Sequence, residues 1–200
     1  MVLLREIQEH SDSGLIEECR GGDNNAFDEL VRRYKDRIYN VVYRFVGNHE
    51  DAMDVAQEVF VHAYRGIDTY QGQAKVYTGL YSIAANLARN CLRDRRRKGR
   101  NKGISLDSLQ ESAPDIAQRA VEASENLRSI AEKHELDIAL DHCIGALPDL
   151  YRIAFVLRIF EGLNYDQISI SMECPKGTVK SRLNQARKLL RDCLQTRGAM

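Results

Sequence analysis

Tryptophan is absent from this chain of 200 residues, and proline occurs only three times. Because proline interrupts helices, its scarcity beside long periodic segments favours an all-helical protein. Long apolar runs are absent too, since AFVLRIF at 154–160 is broken by Arg158 and is too short to span a bilayer. The N-terminus, MVLLREIQEH, is charged too early for a signal peptide. We therefore expect a soluble, cytoplasmic protein with no membrane insertion.

Motifs that carry catalysis or hold metals are also missing. The sequence has no GxxxxGK[ST], HExxH or GxSxG motif and no cysteine–histidine set with metal spacing. His142 and Cys143 are adjacent, but without two further ligands they are expected to be partly buried helix positions. We predict no catalytic residue, no metal and no cofactor, so an enzyme is the least favoured class.

Cysteine is present but lacks the pattern of a disulfide framework. The five cysteines are odd in number, widely spaced and without a Cys-x-x-Cys pair. This usage is typical of a reducing cytoplasm. We therefore expect free thiols at Cys19, Cys91, Cys143, Cys174 and Cys193.

Net charge is zero, yet the charges are segregated along the chain. The stretch 93–102 holds seven basic residues and one acid, whereas 106–141 holds nine acids and three bases. From Lys176 to Arg191 there are six basic residues and no acid. Clusters of basic residues are typical of contact with nucleic acid.

Apolar residues recur at helical spacing in two parts of the chain, on either side of a stretch that contains Gly, Ser and Pro. In the first part, the predicted helices are 23–46, with Asp23 as N-cap, 50–66, and one from Thr78 into the basic run. In the second part, they are 127–146, one opening at Pro148, one over NYDQISISM, and one from Lys176 onward. We therefore predict an all-α fold in which two small helical domains, 1–98 and 127–200, are joined by a flexible acidic linker at 99–126.

The break ECP at 173–175 has the length of the turn in a helix-turn-helix, a motif whose second helix enters the DNA major groove. That second helix carries an apolar stripe at Val179, Leu183, Ala186, Leu190 and Cys193. The opposite face, where Arg and Gln suit contacts to base edges, holds Thr178, Ser181, Arg182 and Gln185. Around it, where phosphates are expected, are Lys176, Lys180, Arg187 and Lys188. An ordinary surface helix also carries basic residues near its C-terminus, but it does not explain Lys176 and Lys180 in the first turn, where acids are preferred.

Two stretches resemble one protein family. LPDLYRIAFVLRIFEGLNYDQISISMECPKGTVKSRLNQARKLL is similar to the C-terminal domain of the extracytoplasmic-function sigma factors, group 4 of the sigma-70 family of RNA polymerase subunits. GDNNAFDELVRRYKDRIYNVVYRFVGNHEDAMDVAQEVFVHAYRGIDTY and LYSIAANLARNCLRDRRRK resemble the family's region 2. The resemblance implies a non-enzymatic subunit that binds core RNA polymerase and promoter DNA. Since most relatives are held inactive by an anti-sigma factor, it also implies such a partner.

The resemblance supplies a role for each matching position. Docking on core polymerase is implied for Asp51, Asp54, Gln57, Glu58 and Phe60. Binding of the minus-ten element is implied for Tyr70, Tyr77, Asn86, Arg89, Asn90, Arg93, Arg95, Arg96 and Arg97, the last three along the DNA backbone. Binding of the minus-thirty-five element is implied for the polar and basic residues of the second helix, which are Lys176, Thr178, Lys180, Ser181, Arg182, Gln185, Arg187 and Lys188. Each set has a simpler explanation: a solvated helix face for the first, core positions for the two tyrosines, and phosphate contacts for the basic run.

The sequence departs from the family at two positions near the start of the minus-ten helix. Gly79 stands where the family commonly has Trp, and Ser82 stands where it has Arg or Lys. Both changes bear on promoter melting rather than on the fold. The alternative function is a stand-alone helix-turn-helix regulator, a class that needs no polymerase-docking motif.

Overall fold

The computed structural model describes residues 11–70, 75–101 and 137–198. Every regular element in these residues is a helix, which confirms the all-α prediction. The helices are α1 Asp12–Arg20, α2 Asn24–Val46, α3 His49–Arg65, a short 3-10 helix Ile67–Thr69, α4 Val76–Asn101, α5 at 137–145, α6 Asp149–Ile159, α7 Tyr165–Ser171 and α8 Lys176–Thr196. The predicted linker beyond residue 101 and the predicted helix before residue 137 lie outside the described residues.

The ends of α2 follow from its sequence. The Asp23 carboxylate accepts a hydrogen bond from the Asn25 amide at 2.9 Å and so satisfies a free N–H of the first turn. At the other end Gly47 has φ 81°, a left-handed conformation in which glycine has no Cβ penalty. Both predicted ends of this helix are confirmed.

The first helical group consists of α1 to α4. Helices α2, α3 and α4 pack around fully buried side chains that include Phe45, Val59 and Tyr81. Helix α1 was not predicted. It is short, and Leu15 and Ile16, the buried residues of this helix, pack against α2 in a small separate cluster.

The second helical group consists of α5 to α8. The predicted stripe of α8 is buried at Val179, Leu183, Ala186 and Leu190, and it packs on α6 and α7. Helix α7 begins with a reciprocal capping box, in which Asn164 and Gln167 each accept a hydrogen bond from the other's backbone amide at 2.9 Å.

The prediction of free thiols is wrong for Cys143 and Cys193. Cys143 of α5 and Cys193 of α8 form a disulfide, with their Cα atoms 5.9 Å apart, while Cys19, Cys91 and Cys174 are free thiols. Fifty positions separate the bonded pair, so spacing in the sequence gave no sign of it. The packing of α8 against the preceding helices brings the two sulfurs together.

The two helical groups lie against each other. Helix α7 packs on α4 and α6 packs on α2, so that the buried residues of both groups form one continuous cluster. This arrangement determines which candidate binding residues are exposed.

Candidate nucleic-acid and polymerase-binding surfaces

Helices α7 and α8 form the predicted helix-turn-helix. Glu173, in the turn between them, has φ 48°, a left-handed conformation that favours glycine. The Ser169 hydroxyl donates to the Cys174 carbonyl oxygen at 2.6 Å and ties the turn to α7. Pro175 is the N-cap of α8, whose first residue is Lys176, as predicted. The turn thus fixes the angle at which α8 leaves the domain.

The exposed side of α8 is polar and strongly basic. Six of the eight predicted residues are exposed: Lys176, Lys180, Ser181, Gln185, Arg187 and Lys188. Thr178 and Arg182 are half-buried at its edge. A shallow depression on this face includes Asn184, which the sequence analysis missed although it lies one turn from Lys180 and Lys188. A polar, convex helix face with several free donors can lie in a DNA major groove.

Helix α4 carries the predicted minus-ten residues along one continuous helix. Asn90 and the four arginines at 93, 95, 96 and 97 are exposed, whereas Asn86 and Arg89 are half-buried. Arg95 Nη1 lies 3.3 Å from Asp51 of α3, and Arg96 Nη2 lies 2.9 Å from Asp149 of α6. The C-terminal half of α4 therefore presents positive charge to solvent, while its N-terminal half lies against other helices.

The two tyrosines predicted to stack on bases are both half-buried. Tyr77 lies 6.0 Å from Tyr81 between ring centroids, and its hydroxyl accepts a hydrogen bond from Gln167 at 3.1 Å. Tyr70 packs beside the small cluster of α1 and α2, and burial raises the pKa of its hydroxyl. Residues 71–74, between these tyrosines, lie outside the described residues.

Helices α2 and α3 enclose an apolar groove of about 710 Å³. Gln57 and Phe60 of the predicted docking set line it, and Asp54 and Glu58 are exposed on the same helix. Asp51 instead contacts Arg95 and lies at the helix N-terminus, where its amide donates to the Asn48 cap at 2.8 Å. The groove also includes residues that the sequence analysis missed, namely Met53, Val61 and Tyr64, which are 54%, 40% and 48% exposed.

Clustered exposed apolar side chains are typical of surfaces that bind another protein. The predicted docking set on α3 contains one apolar residue of the groove, Phe60, and the other exposed apolar side chains were not predicted. A partner that enters the groove would bury these apolar groups.

A partly buried polar cluster lies where α2, α4 and the second group meet. Glu161 accepts hydrogen bonds from Arg37 Nε at 2.7 Å and from the Tyr81 hydroxyl. Burial raises the pKa of Tyr81 above its ordinary value, and the hydrogen bond to Glu161 adds to the rise. The same carboxylate raises the pKa of Arg37.

An all-helical chain with a helix-turn-helix, a separate arginine-rich helix and an exposed apolar groove is typical of a DNA-binding protein that also assembles with another protein. The Sigma-70 region 2 model matches residues 30–98, and the Sigma-70 region 4 model matches residues 137–190. RNA polymerase sigma-H factor of Pseudomonas aeruginosa is 36% identical over 94% of this chain and 96% of its own length. ECF RNA polymerase sigma-E factor of Escherichia coli K12 is 34% identical over 92% of this chain and 95% of its own length.

The chain therefore belongs to the extracytoplasmic-function sigma factors, as the sequence resemblance implied. Solved structures share the fold. CnrH in complex with the cytosolic domain of CnrY has a TM-score of 0.63 at 19% identity and covers 92% of this chain and 97% of that chain. The sigma factor RpoE of Bartonella quintana, in complex with the anti-sigma factor NepR, has a TM-score of 0.63 at 20% identity and covers 84% and 96%.

The part of the chain that the structure describes lacks both a membrane-spanning helix and a metal-binding cluster. Within the ranges 11–70, 75–101 and 137–198, no helix is long and apolar enough to cross a membrane. In the same ranges, no three His, Cys, Asp or Glu side chains are grouped so that they could hold a metal ion.

Proposed function

We propose that this sigma factor binds core RNA polymerase in the cytoplasm and directs it to promoters with a minus-ten and a minus-thirty-five element, and that an anti-sigma factor controls it. In this proposal residues 1–98 bind polymerase and the minus-ten element, residues 127–200 bind the minus-thirty-five element, and residues 99–126 link them. The protein acts by binding and has no catalytic site of its own.

The observation that carries the proposal is the division of α8 into two sides. Its apolar stripe is fully used in packing, so the exposed basic side is left for a ligand. Arg182 and Gln185 are the candidates for base contacts because their side chains match the edges of guanine and adenine. The lysines around them suit phosphates, which orient the helix without distinguishing sequence.

Helix α4 supports the proposed binding of the minus-ten element. Its exposed arginines at 95, 96 and 97 lie at the C-terminal half, as expected for contacts that follow a DNA backbone. Asn86, Arg89, Asn90 and Arg93 precede them on the same helix, where contacts to bases are proposed. Tyr70 and Tyr77 are proposed to stack on bases of the melted strand, since aromatic side chains bind single strands in this way.

The groove between α2 and α3 supports polymerase docking. Gln57 and Phe60 line it, and Asp54 and Glu58 are exposed on the same helix. Asp51, which pairs with Arg95 near the N-terminus of this helix, is proposed to contact polymerase together with these four residues. An anti-sigma factor is proposed because the structurally similar CnrH and RpoE were solved with CnrY and with the anti-sigma factor NepR. Such a partner would compete for the same exposed surfaces.

A stand-alone helix-turn-helix regulator is disfavoured. Such a protein needs no region 2, whereas the region 2 match covers α3 and most of α2 and α4. Nor would it need an apolar docking groove.

In-vitro transcription tests the proposal directly. Bacterial core polymerase is supplied with a genomic fragment pool, with and without the protein. New transcripts whose start sites share two spaced upstream elements are the expected result. Core binding without transcripts would remove the promoter-melting role and implicate Gly79 and Ser82. If the protein neither binds core nor yields transcripts, the proposed function is wrong.

A further inference from the structure

Helix α1 is tied to the segment that precedes α4. Arg20, the last residue of α1, donates from Nε to the carbonyl oxygen of Ile67 at 3.2 Å and from Nη2 to the carbonyl oxygen of Tyr70. Its third nitrogen, Nη1, pairs with Glu17 Oε1 at 2.7 Å. Every nitrogen of this guanidinium is therefore hydrogen-bonded within the protein, and its planar edge reaches two acceptors at once.

The two carbonyl groups belong to a segment that has little structure of its own to hold it. Ile67–Thr69 is one turn of 3-10 helix, and Tyr70 is its C-cap. Carbonyl groups at a helix end have no intrahelical partner, and the hydrogen bonds of a 3-10 turn have poorer geometry than those of an α-helix. The bond from the Tyr70 amide to the Ile67 carbonyl oxygen is long, at 3.3 Å. Two bonds from one rigid guanidinium therefore fix the spacing of these carbonyls and the conformation of the turn.

Apolar packing supports the same segment from the same helix. Leu15 and Ile16 of α1 are buried in the small cluster with α2, and the partly buried Ile67, Tyr70 and Val76 pack against this cluster. Val76 is the first residue of α4. Helix α1 thus supports both Tyr70 and the start of the helix that carries the other proposed minus-ten residues.

We propose that Arg20 is a positioning residue for binding of the melted minus-ten strand: by holding the carbonyls of Ile67 and Tyr70, it sets the place of the Tyr70 ring before DNA arrives. An ordered ring loses less conformational entropy when a base stacks on it. Arg20 does this without touching DNA, because its three nitrogens are engaged by the protein. The proposal rests on the proposed stacking role of Tyr70.

Two variants of Arg20 in the full chain separate the planar fork from the charge. Arg20→Ala removes both, whereas Arg20→Lys keeps the positive charge but lacks a fork that reaches two carbonyls. Arg32→Ala is the matched control, because Arg32 of α2, like Arg20, forms an i,i+3 ion pair with a glutamate. Circular dichroism checks that each variant remains helical.

Hydrogen exchange of the backbone amides tests the clamp without DNA or polymerase. An amide exchanges when its local structure opens. We expect the amides of Thr69 and Tyr70 to exchange faster in Arg20→Ala and Arg20→Lys than in the wild type and Arg32→Ala. Equal exchange in all four proteins would refute the positioning role.

Binding of single-stranded DNA by the holoenzyme gives the second readout. The probe is a fluorescein-labelled oligonucleotide with the minus-ten sequence of a promoter recovered by in-vitro transcription, followed by anisotropy. Loss of a stacking ring in Tyr70→Ala should lower affinity roughly tenfold. If the ring is in place in about a third of the molecules without the fork, Arg20→Ala and Arg20→Lys should bind about threefold more weakly than Arg32→Ala. Wild-type affinity in Arg20→Lys would assign the effect to charge and would overturn positioning by the fork.

The double variant Arg20→Ala, Tyr70→Ala shows whether Arg20 acts through the ring. Once the ring is absent there is nothing left to position, so the double variant should bind as Tyr70→Ala does. Additive losses would overturn the proposal, because an Arg20 that contacts DNA or only stabilises the fold lowers affinity with or without the ring.

The same measurements distinguish failure of this proposal from failure of the proposed function. A loss of affinity in Tyr70→Ala without any loss in Arg20→Ala would overturn the positioning role alone. If the wild type yields no transcripts, or if Tyr70→Ala binds as tightly as the wild type, the role of Tyr70 on which the proposal rests is wrong.

Discussion

The guanidinium of Arg182 donates a hydrogen bond from Nη1 to the sulfur of Cys174, at 3.3 Å. Cys174 belongs to the turn of the helix-turn-helix, and its carbonyl oxygen is itself held by Ser169. Arg182 is therefore positioned at the edge of the exposed face of α8 before DNA arrives. A side chain that is already ordered loses less entropy on binding.

Replacing Arg182 by Ala should relax the sequence preference at the upstream promoter element. A bidentate contact between arginine and guanine contributes about 1–3 kcal/mol of discrimination against other bases. Competition among promoter variants, each changed at one upstream position, measures the effect. Arg187→Ala serves for comparison, because loss of a phosphate contact weakens all variants alike. Equal weakening of every variant by Arg182→Ala would make Arg182 a phosphate contact as well.

Replacing Arg96 by Ala should weaken DNA binding about evenly across sequences. A phosphate contact releases counterions, so its loss reduces the slope of log affinity against log salt by about 0.7 on single strands and 0.9 on duplex DNA. Titrations of the holoenzyme at several salt concentrations measure this slope. An unchanged slope would indicate that the pairing of Arg96 with Asp149 persists in the complex.

Replacing Met53 by Ala should weaken binding to core polymerase with little loss of stability. Met53 is 54% exposed in the α2–α3 groove, so it contributes little to the core of the free chain. If it is buried on docking, its truncation costs roughly 1–2 kcal/mol, or about tenfold in affinity. Ile138→Ala is the control, because Ile138 is 52% exposed and lies outside the groove. Equal effects of the two variants would argue against docking in the groove.

Reduction of the Cys143–Cys193 disulfide should lower the free energy of unfolding. This bond closes a loop of 50 residues and so restricts the unfolded chain. In the chain-entropy account, it stabilises the folded protein by about 4 kcal/mol. Its reduction should therefore lower Tm by roughly 10 °C. Thermal unfolding with and without dithiothreitol measures this difference. The double variant Cys143→Ala, Cys193→Ala should not respond to the reductant. If this variant responds as strongly as the wild type, the effect of dithiothreitol does not come from this disulfide.

Local patterns predicted the long helices well. Helix α2 has a regular apolar stripe with Asp23 and Gly47 at its ends, and α8 has an apolar stripe opposite its basic face, so spacing alone defined both. Helix α1 was not predicted, because its nine residues include few apolar positions and so show no clear helical period.

Long-range pairs were not predictable in this way. The Arg37–Glu161 pair is 124 positions apart and the disulfide pair 50, and neither spacing carries a periodic signal. The groove between α2 and α3 was predicted only in part, because its apolar members lie on two helices whose packing the sequence did not define.

Two glycine substitutions should have opposite effects on stability. Gly79 lies inside α4, and a Cβ added there meets no atom within 4 Å, so Gly79→Ala removes the entropic cost of glycine in a helix. The expected gain is about 0.5–1 kcal/mol. Gly47 has φ 81° at the end of α2, so Gly47→Ala should cost about 1–2 kcal/mol although space is available there as well.

Chemical denaturation of the two variants beside the wild type measures both signs. The comparison separates the effect of steric space from that of backbone conformation. An added Cβ meets no atom within 4 Å at either position, and only Gly47 has a positive φ. Gly79→Ala also tests how the absence of the family's Trp at this position affects function. If the variant is more stable but its transcription is unchanged, a weakened start of α4 is not the cause of any effect on promoter melting. The missing aromatic ring is then the cause. A loss of stability on Gly79→Ala would show that the N-terminal turns of α4 need the freedom of glycine.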